Sequence, residues 1–534
     1  MRLAVELLLP AQLSPKARVP TIVRMARFGR LENGATTPED MFWTANGYAL
    51  LLVDLRGTGA SFGTSQYGPA ELRDMRRLAA WISAQPWSNG RIGSYGISFQ
   101  GTAAELLAAS GHPAVRAVAP LYSDYEYYAD LVRPGGILLS GLLDPLGAYM
   151  KGQDAGASAV PVQGDADGAL ARAAVADHQS NIDMAAAARA AKFSDDPLAG
   201  VGTSLSSIGV SAIHGRLPRA RVPMFVQVGW LDAGTARGAL DRYRSVNNGQ
   251  SLFIGPWSHA GNFNVDPLRP GGPAKIDQPK ERLSQLLPFF DRHLKQGRRQ
   301  APNRAVHYYT MGAGCWRATA KWPPAGLSQR RFHLVAGGEL APDADGRPVQ
   351  VHFSPTDTGQ ANRWQTQLGG GTVDYRQAAA AMQRLPGYST GPFARSLEIT
   401  GSPLLHLKMK LNGPALDPAV FAYLFAIDSQ GSPRYLTEGQ LLLRHRKPSP
   451  GPPSLHSYRR ADAAPARPGQ TIDATIALLP TSVLLRPGDR LRLLLANGDR
   501  ASFEPTGDYD AMLLPGTRLE LPVSDAAGEI CGTA

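Results

Sequence analysis

Between Ile22 and Ala119, short apolar runs and amphipathic stretches take turns. This alternation restricts what the chain can fold into more than any other feature. Ile22–Met25, Tyr48–Leu55, Ile92–Tyr95 and Val115–Ala119 are short, mostly apolar runs suited to parallel strands buried on both faces. Between them, Glu71–Ala84 places Leu72, Met75, Leu78, Ala79 and Ile82 on one helical stripe, and Phe99–Ala109 is an alanine-rich helix. Strand and helix repeating in this way predict a doubly wound α/β layer. The rhythm resumes with strands at Met224–Val228 and Ser251–Ile254 and a helix at Lys280–Lys295. The interval is rich in Ala and Gly, with helix-like pieces such as Met184–Lys192, and reads as a helical insertion.

Beyond residue 301 the texture changes. Arg331–Val335, Leu404–Leu411, Val420–Ile427, Thr471–Leu478, Arg490–Leu495 and Arg518–Val523 are short alternating segments separated by Gly, Pro and Asp. They predict an all-β sandwich of the jelly-roll kind. The expected division is therefore 1–120 and 211–300 for the α/β core, 121–210 for a helical cap, and 301–534 for the sandwich. A chain of 534 residues has ample material for several such units.

Composition narrows the function classes. Lys and Arg number 55 against 44 Asp and Glu, a net +11, but the basic residues are scattered and the densest cluster is only Arg444, Arg446 and Lys447. A nucleic-acid partner would require basic residues gathered on one face, so none is expected. No apolar run reaches the length of a membrane span, and no membrane partner is expected. Self-association is left open. Cys315 and Cys531 are the two cysteines, too few for a disulfide scaffold, and read as unpaired thiols. CxxC, HExxH and P-loop strings are absent, so the common zinc and P-loop signatures are missing. Leu3–Leu9, stopped by Pro10, reads as a strand rather than a secretory leader. Localisation is therefore left open: cytoplasmic as the chain stands, secreted or periplasmic if an upstream leader is missing.

The sharpest chemical signal is Gly96-Ile97-Ser98-Phe99-Gln100-Gly101, where a strand ends and a helix begins. A tight turn there lifts a serine hydroxyl above the sheet as a nucleophile. The strict G-x-S-x-G string fails, because position 100 is Gln; Ser98 as a simple helix cap is the alternative. A serine nucleophile needs a base and a carboxylate to orient it. Asp232 follows the strand ending at Val228, and His259 follows the strand ending at Ile254. Ser, Asp and His thus appear in hydrolase order at the carboxyl ends of parallel strands, where open α/β sheets place their sites.

These strings, and others along the chain, resemble the CocE/NonD branch of the α/β-hydrolases. That branch includes cocaine esterase, α-amino-acid ester hydrolases and X-prolyl dipeptidyl-peptidases. Asp54-Leu55-Arg56-Gly57-Thr58-Gly59-Ala60-Ser61-Phe62-Gly63 is similar to its D-x-R-G-x-G-x-S-x-G segment, and Gln85–Gly93 to the run before its nucleophile. Gly96–Gly101 is similar to its G-x-S-Y-x-G elbow, which accounts for the displaced second glycine. Gly229-Trp230-Leu231-Asp232 and Gly255-Pro256-Trp257-Ser258-His259 resemble its acid and histidine segments, and Tyr309–Gly312 with Trp316 the opening of its jelly roll.

The resemblance implies an α/β-hydrolase core with an inserted helical cap and a C-terminal jelly roll. It also implies acyl transfer to water through an ester on Ser98, with His259 as base, Asp232 as its partner, and neither a metal nor an organic cofactor needed. The Phe99 backbone N–H would donate to the oxyanion. The family takes a second donor from a Tyr hydroxyl, but the matching position here is Phe28, so that donor must come from elsewhere, Arg27 or a water among the candidates. Arg30 stands where the α-amino-acid ester hydrolases carry a carboxylate for an ammonium group, and would favour an acidic acyl group if it faced the pocket. The substrate expected is a small-molecule ester or amide. The alternatives are a dipeptide-releasing X-prolyl peptidase and, in another class, a non-catalytic ligand binder using the jelly roll.

Overall fold

A computed structural model describes residues 1–65, 68–217, 221–296, 304–376, 382–415, 417–449 and 455–524. The first part is built on strands β1 (Val5–Leu8), β2 (Val19–Ala26), β3 (Ala49–Asp54), β4 (Ser88–Ile97), β5 (Val115–Leu121), β6 (Met224–Gly229) and β7 (Gln250–Gly255). Two more, β8 (Ala305–Thr310) and β9 (Cys315–Thr319), extend the same sheet, in the order β1-β3-β2-β4-β5-β6-β7-β8-β9. From β3 through β8 neighbouring strands run parallel; β1 and β9 cap the edges antiparallel. Every residue of β3 and β6 is buried, which is why these stretches read as nearly unbroken apolar runs.

Helices α1 (Pro38–Ala45), α2 (Pro69–Ser83) and α3 (Phe99–Ala109) belong to the first half of this layer. Met75, Leu78, Ala79 and Ile82 of α2 are buried, as their stripe requires. α3 has eight of its eleven residues buried, so small alanine side chains suit its close approach to β4 and β5. Between β5 and β6 the chain makes α4 (Ser140–Gly152), α5 (Ala169–His178), α6 (Met184–Ala190) and shorter turns. After β6 and β7 come α7 (Thr235–Ser245) and α8 (Gln278–Phe290).

The remaining strands, from Ser328–Val335 to Arg518–Ser524, form a second, 13-stranded β-network with mostly antiparallel pairing. Leu404–Leu411 occurs with the bounds read from its alternation, and its inward residues Leu405, Leu407, Met409 and Leu411 are buried.

The strand pair at 305–319, within the segment expected to form the sandwich, hydrogen-bonds to β7 and continues the α/β sheet. An alternating apolar pattern at a sheet edge looks the same whichever sheet it joins. One expectation needs correction. Cys315 was read as an unpaired thiol but is disulfide-bonded. Cys531 lies outside the described residues.

Candidate active site

β4 ends at Ile97, paired with Leu121 of β5, and the chain turns sharply into α3. Ser98 occupies that turn with φ 59° and ψ −123°, an unfavourable conformation for a residue with a Cβ. Its side chain makes no capping bond to α3, so the helix-cap alternative does not account for it. Among the described residues Ser98 Oγ makes no hydrogen bond. The turn is set by close packing. A Cβ on Gly96 would lie 2.3 Å from Gln100 Cβ, and one on Gly101 would lie 2.9 Å from the Gly96 carbonyl and 3.0 Å from Leu121 N. The second small residue is needed where α3 crosses β5, at 101 rather than 100.

Asp232 and His259 are brought together from the ends of β6 and β7. Both carboxylate oxygens lie 3.0 Å from His259 Nδ1. Asp232 is fully buried, and His259 is 6% exposed. Two hydroxyls complete the carboxylate: Thr235 donates to Oδ2 at 3.0 Å, and Thr366 lies 3.2 Å from Oδ1. With Nδ1 against an ionised carboxylate, that nitrogen carries the proton and Nε2 keeps its lone pair. Burial disfavours the imidazolium, but the Asp232 charge and hydrogen bond, with the Asp124 charge, raise the His259 pKa overall.

Thr366, Tyr122 and Asp124 have no local sequence signal. Tyr122, at φ 50°, follows β5, and its ring meets His259 edge-on at 6.0 Å. Asp124, two residues on, is buried and hydrogen-bonded to Gln367 at 3.2 Å. Burial pushes its pKa up to about 7, with the Asp130 and Asp232 charges adding. Aspartates after strands are too common to single this one out.

The loop after β2 lies against the inserted segment. Phe28 packs against Phe99, next to Ser98, at 6.3 Å, and against Tyr149 of α4 at 5.1 Å. The Arg27 guanidinium pairs with Asp154 at 2.7 Å. Arg30 does not serve as a substrate group. Its guanidinium is buried, pairs with Asp54 at 2.9 Å, and donates to the carbonyls of Val160 and Pro161 at 2.9 and 3.1 Å. The same Asp54 accepts from Ala60 N, and a Cβ on Gly59 would lie 2.4 Å from its carboxylate. Arg30 therefore ties the Asp54–Gly63 loop to the insertion, and the acidic-acyl expectation drawn from it is withdrawn.

Among the described residues no group of three or more His, Cys, Asp or Glu is placed to hold a metal ion, and no helix is long and apolar enough to cross a membrane. The family model for the X-Pro dipeptidyl-peptidase (S15 family) matches residues 1–261, and the model for the X-Pro dipeptidyl-peptidase C-terminal non-catalytic domain matches 298–511. A Mycobacterium bovis protein provisionally named a serine esterase is 33% identical, over 98% of this chain and 93% of its own. The chain belongs to the CocE/NonD-type α/β-hydrolase family. It is a serine hydrolase. The cocaine esterase of a Rhodococcus species is 24% identical over 94% of this chain and 90% of its own. A CocE/NonD family hydrolase of Staphylococcus aureus has the same fold, with TM-score 0.72 at 17% identity, covering 98% of this chain and 91% of that one.

Proposed function

We propose that this serine hydrolase cleaves a small-molecule carboxylic ester through an acyl-enzyme on Ser98. The observation that carries the reading is the pairing of His259 Nδ1 with both oxygens of Asp232, at the strand ends where Ser98 stands on its strained turn. Ser98 Oγ attacks the substrate carbonyl carbon while His259 Nε2 takes its proton. Asp232 holds the imidazole and stabilises its positive charge. The tetrahedral oxyanion is met by the N–H of Phe99, the residue that follows Ser98 on the strand-to-helix turn. His259 then protonates the leaving alcohol. Water, deprotonated by the same imidazole, releases the acid.

Ester rather than peptide substrates are favoured by the names of two relatives matched over most of their length, one provisionally a serine esterase and one a cocaine esterase. Asp124 favours the second reading, a peptidase or aminoacyl hydrolase. It is a buried carboxylate at the strand ends with no cationic side chain paired to it among the described residues, and it could meet a substrate ammonium.

Ser98→Ala and His259→Ala should each remove nearly all turnover of nitrophenyl esters, and Ser98→Ala should abolish fluorophosphonate labelling, with the fold intact by circular dichroism. Normal hydrolysis by purified Ser98→Ala protein would sink the assignment. Measuring kcat/KM on nitrophenyl acetate beside an X-Pro anilide separates the two substrate readings.

A further inference from the structure

The β-rich part of the chain returns one turn, Arg363–Leu368, to the end of β6. That turn is firmly built. Asn362 accepts from the N–H groups of Trp364 and Gln365 at 2.8 and 3.1 Å, and its own amide donates to Thr358 and Ser502 at 3.0 and 2.9 Å. The buried Arg363 guanidinium donates to the Trp230 carbonyl at 2.7 Å and to the Ala233 carbonyl at 2.9 and 3.2 Å. Ala233 N–H donates back to the Arg363 carbonyl at 3.1 Å. The backbone on either side of Asp232 is thus fixed from outside the α/β sheet.

We propose that Thr366, within the segment matched by a domain described as non-catalytic, is a positioning residue for Asp232. This rests on the Ser98–His259–Asp232 reading. Its hydroxyl is 3.2 Å from Asp232 Oδ1 and 2.8 Å from the Arg363 carbonyl. One proton serves one of them fully, and the ionised oxygen is the stronger acceptor. Each oxygen of Asp232 then takes His259 Nδ1 and one hydroxyl, Thr235 on Oδ2 and Thr366 on Oδ1. Thr235 lies three residues away and moves with the loop. Thr366 is 134 residues away and references the carboxylate to the second β-network. Losing its hydroxyl leaves Oδ1 with the imidazole alone. The carboxylate becomes more basic, the imidazolium is further stabilised, and less neutral base is present at a given pH.

The test is Thr366→Val, which keeps shape and removes the hydroxyl, beside Thr366→Ser, which restores it. With a nitrophenyl ester, kcat should fall about tenfold in the Val variant at little change in KM, the worth of one hydrogen bond to a charged group. The acid limb of kcat/KM should move to higher pH, and the Ser variant should recover both. Parental kcat and pH profile in Thr366→Val would overturn the proposal. So would a loss that Ser fails to rescue and that leaves the acid limb in place, since that pattern belongs to packing. If the Val variant does not fold, Thr366→Ala against Thr366→Ser decides by the same readings. Ser98→Ala run in parallel keeps the two inferences apart: activity there removes the triad, whereas an inactive Ser98→Ala beside a fully active Thr366→Val removes only Thr366.

Discussion

Glu105 and Arg242 offer the most demanding test of how the site is held. Glu105 lies in α3, behind Ser98, and Arg242 lies in α7, behind Asp232. Their side chains are 0% exposed and meet at two points, Nη2 to Oε1 at 2.7 Å and Nε to Oε2 at 2.9 Å. Ser123 lies 3.4 Å from each partner, and the Tyr125 ring lies 5.3 Å from the guanidinium. Burial pushes the Glu105 pKa up, and the Arg242 charge opposes that rise. Glu105→Gln keeps the shape but leaves Arg242 buried without its counter-charge, where Ser123 and an amide cannot replace a carboxylate. Removing one partner of such a pair costs about 3–5 kcal/mol, while replacing both by apolar residues of similar volume is often near neutral. Unfolding in urea, followed by tryptophan fluorescence, should therefore show losses of about 3–5 kcal/mol in Glu105→Gln, and likewise in Glu105→Leu and in Arg242→Met, but a much smaller loss in the double variant Glu105→Leu/Arg242→Met. If each single variant loses under about 1 kcal/mol, or if the two losses add in the double variant, the pair is not what joins the two helices.

Three further outcomes follow from the site. His259 must be neutral to act as base and its pKa is raised, so kcat/KM should fall with decreasing pH through a value above the ordinary 6.5; Asp124→Asn removes a charge that favours the imidazolium and should move that limb to lower pH. An unmoved limb in a folded Asp124→Asn protein would remove Asp124 from the electrostatics of the base. Arg30→Ala should cost about 3–5 kcal/mol of stability in urea, by leaving Asp54 buried and unpaired, without changing the preference between acidic and neutral acyl esters; a changed preference would return Arg30 to the pocket. Phe28→Tyr should raise kcat on a poorly activated ester, by up to ~10²-fold if the new hydroxyl reaches the oxyanion, with KM little changed; a flat kcat in a folded protein means that the second donor lies elsewhere.

How much of this was legible in the sequence depended on how far each feature reaches along the chain. The helix at Phe99–Ala109 and the strand at Leu404–Leu411 were read with their observed bounds, because periodicity and turn residues act over a few neighbours. Asp232 and His259 were legible one level up, since each follows a strand and parallel strands present their carboxyl ends on one edge. Arg30 misled because sequence shows its charge but not its partners: Asp54 is 24 residues away and the Val160 carbonyl 130 away.

The acid shows where this kind of reading stops. A carboxylate two strands from Ser98 needs a fixed orientation, and its own loop supplies the Thr235 hydroxyl. Arg363 holds the carbonyls of Trp230 and Ala233 beside it and Thr366 reaches the carboxylate itself, both from a stretch whose composition resembles any turn between strands. Nothing local distinguishes Thr366 from the chain's other threonines. Its position depends on how the second β-network docks against the end of β6, and that docking is set by packing over the whole interface. The residues proposed for catalysis can be picked out by spacing and order because the proposed chemistry demands Ser, His and Asp. The residues that orient them are constrained only by geometry, so they become visible once the fold brings positions 232 and 366 within hydrogen-bond reach.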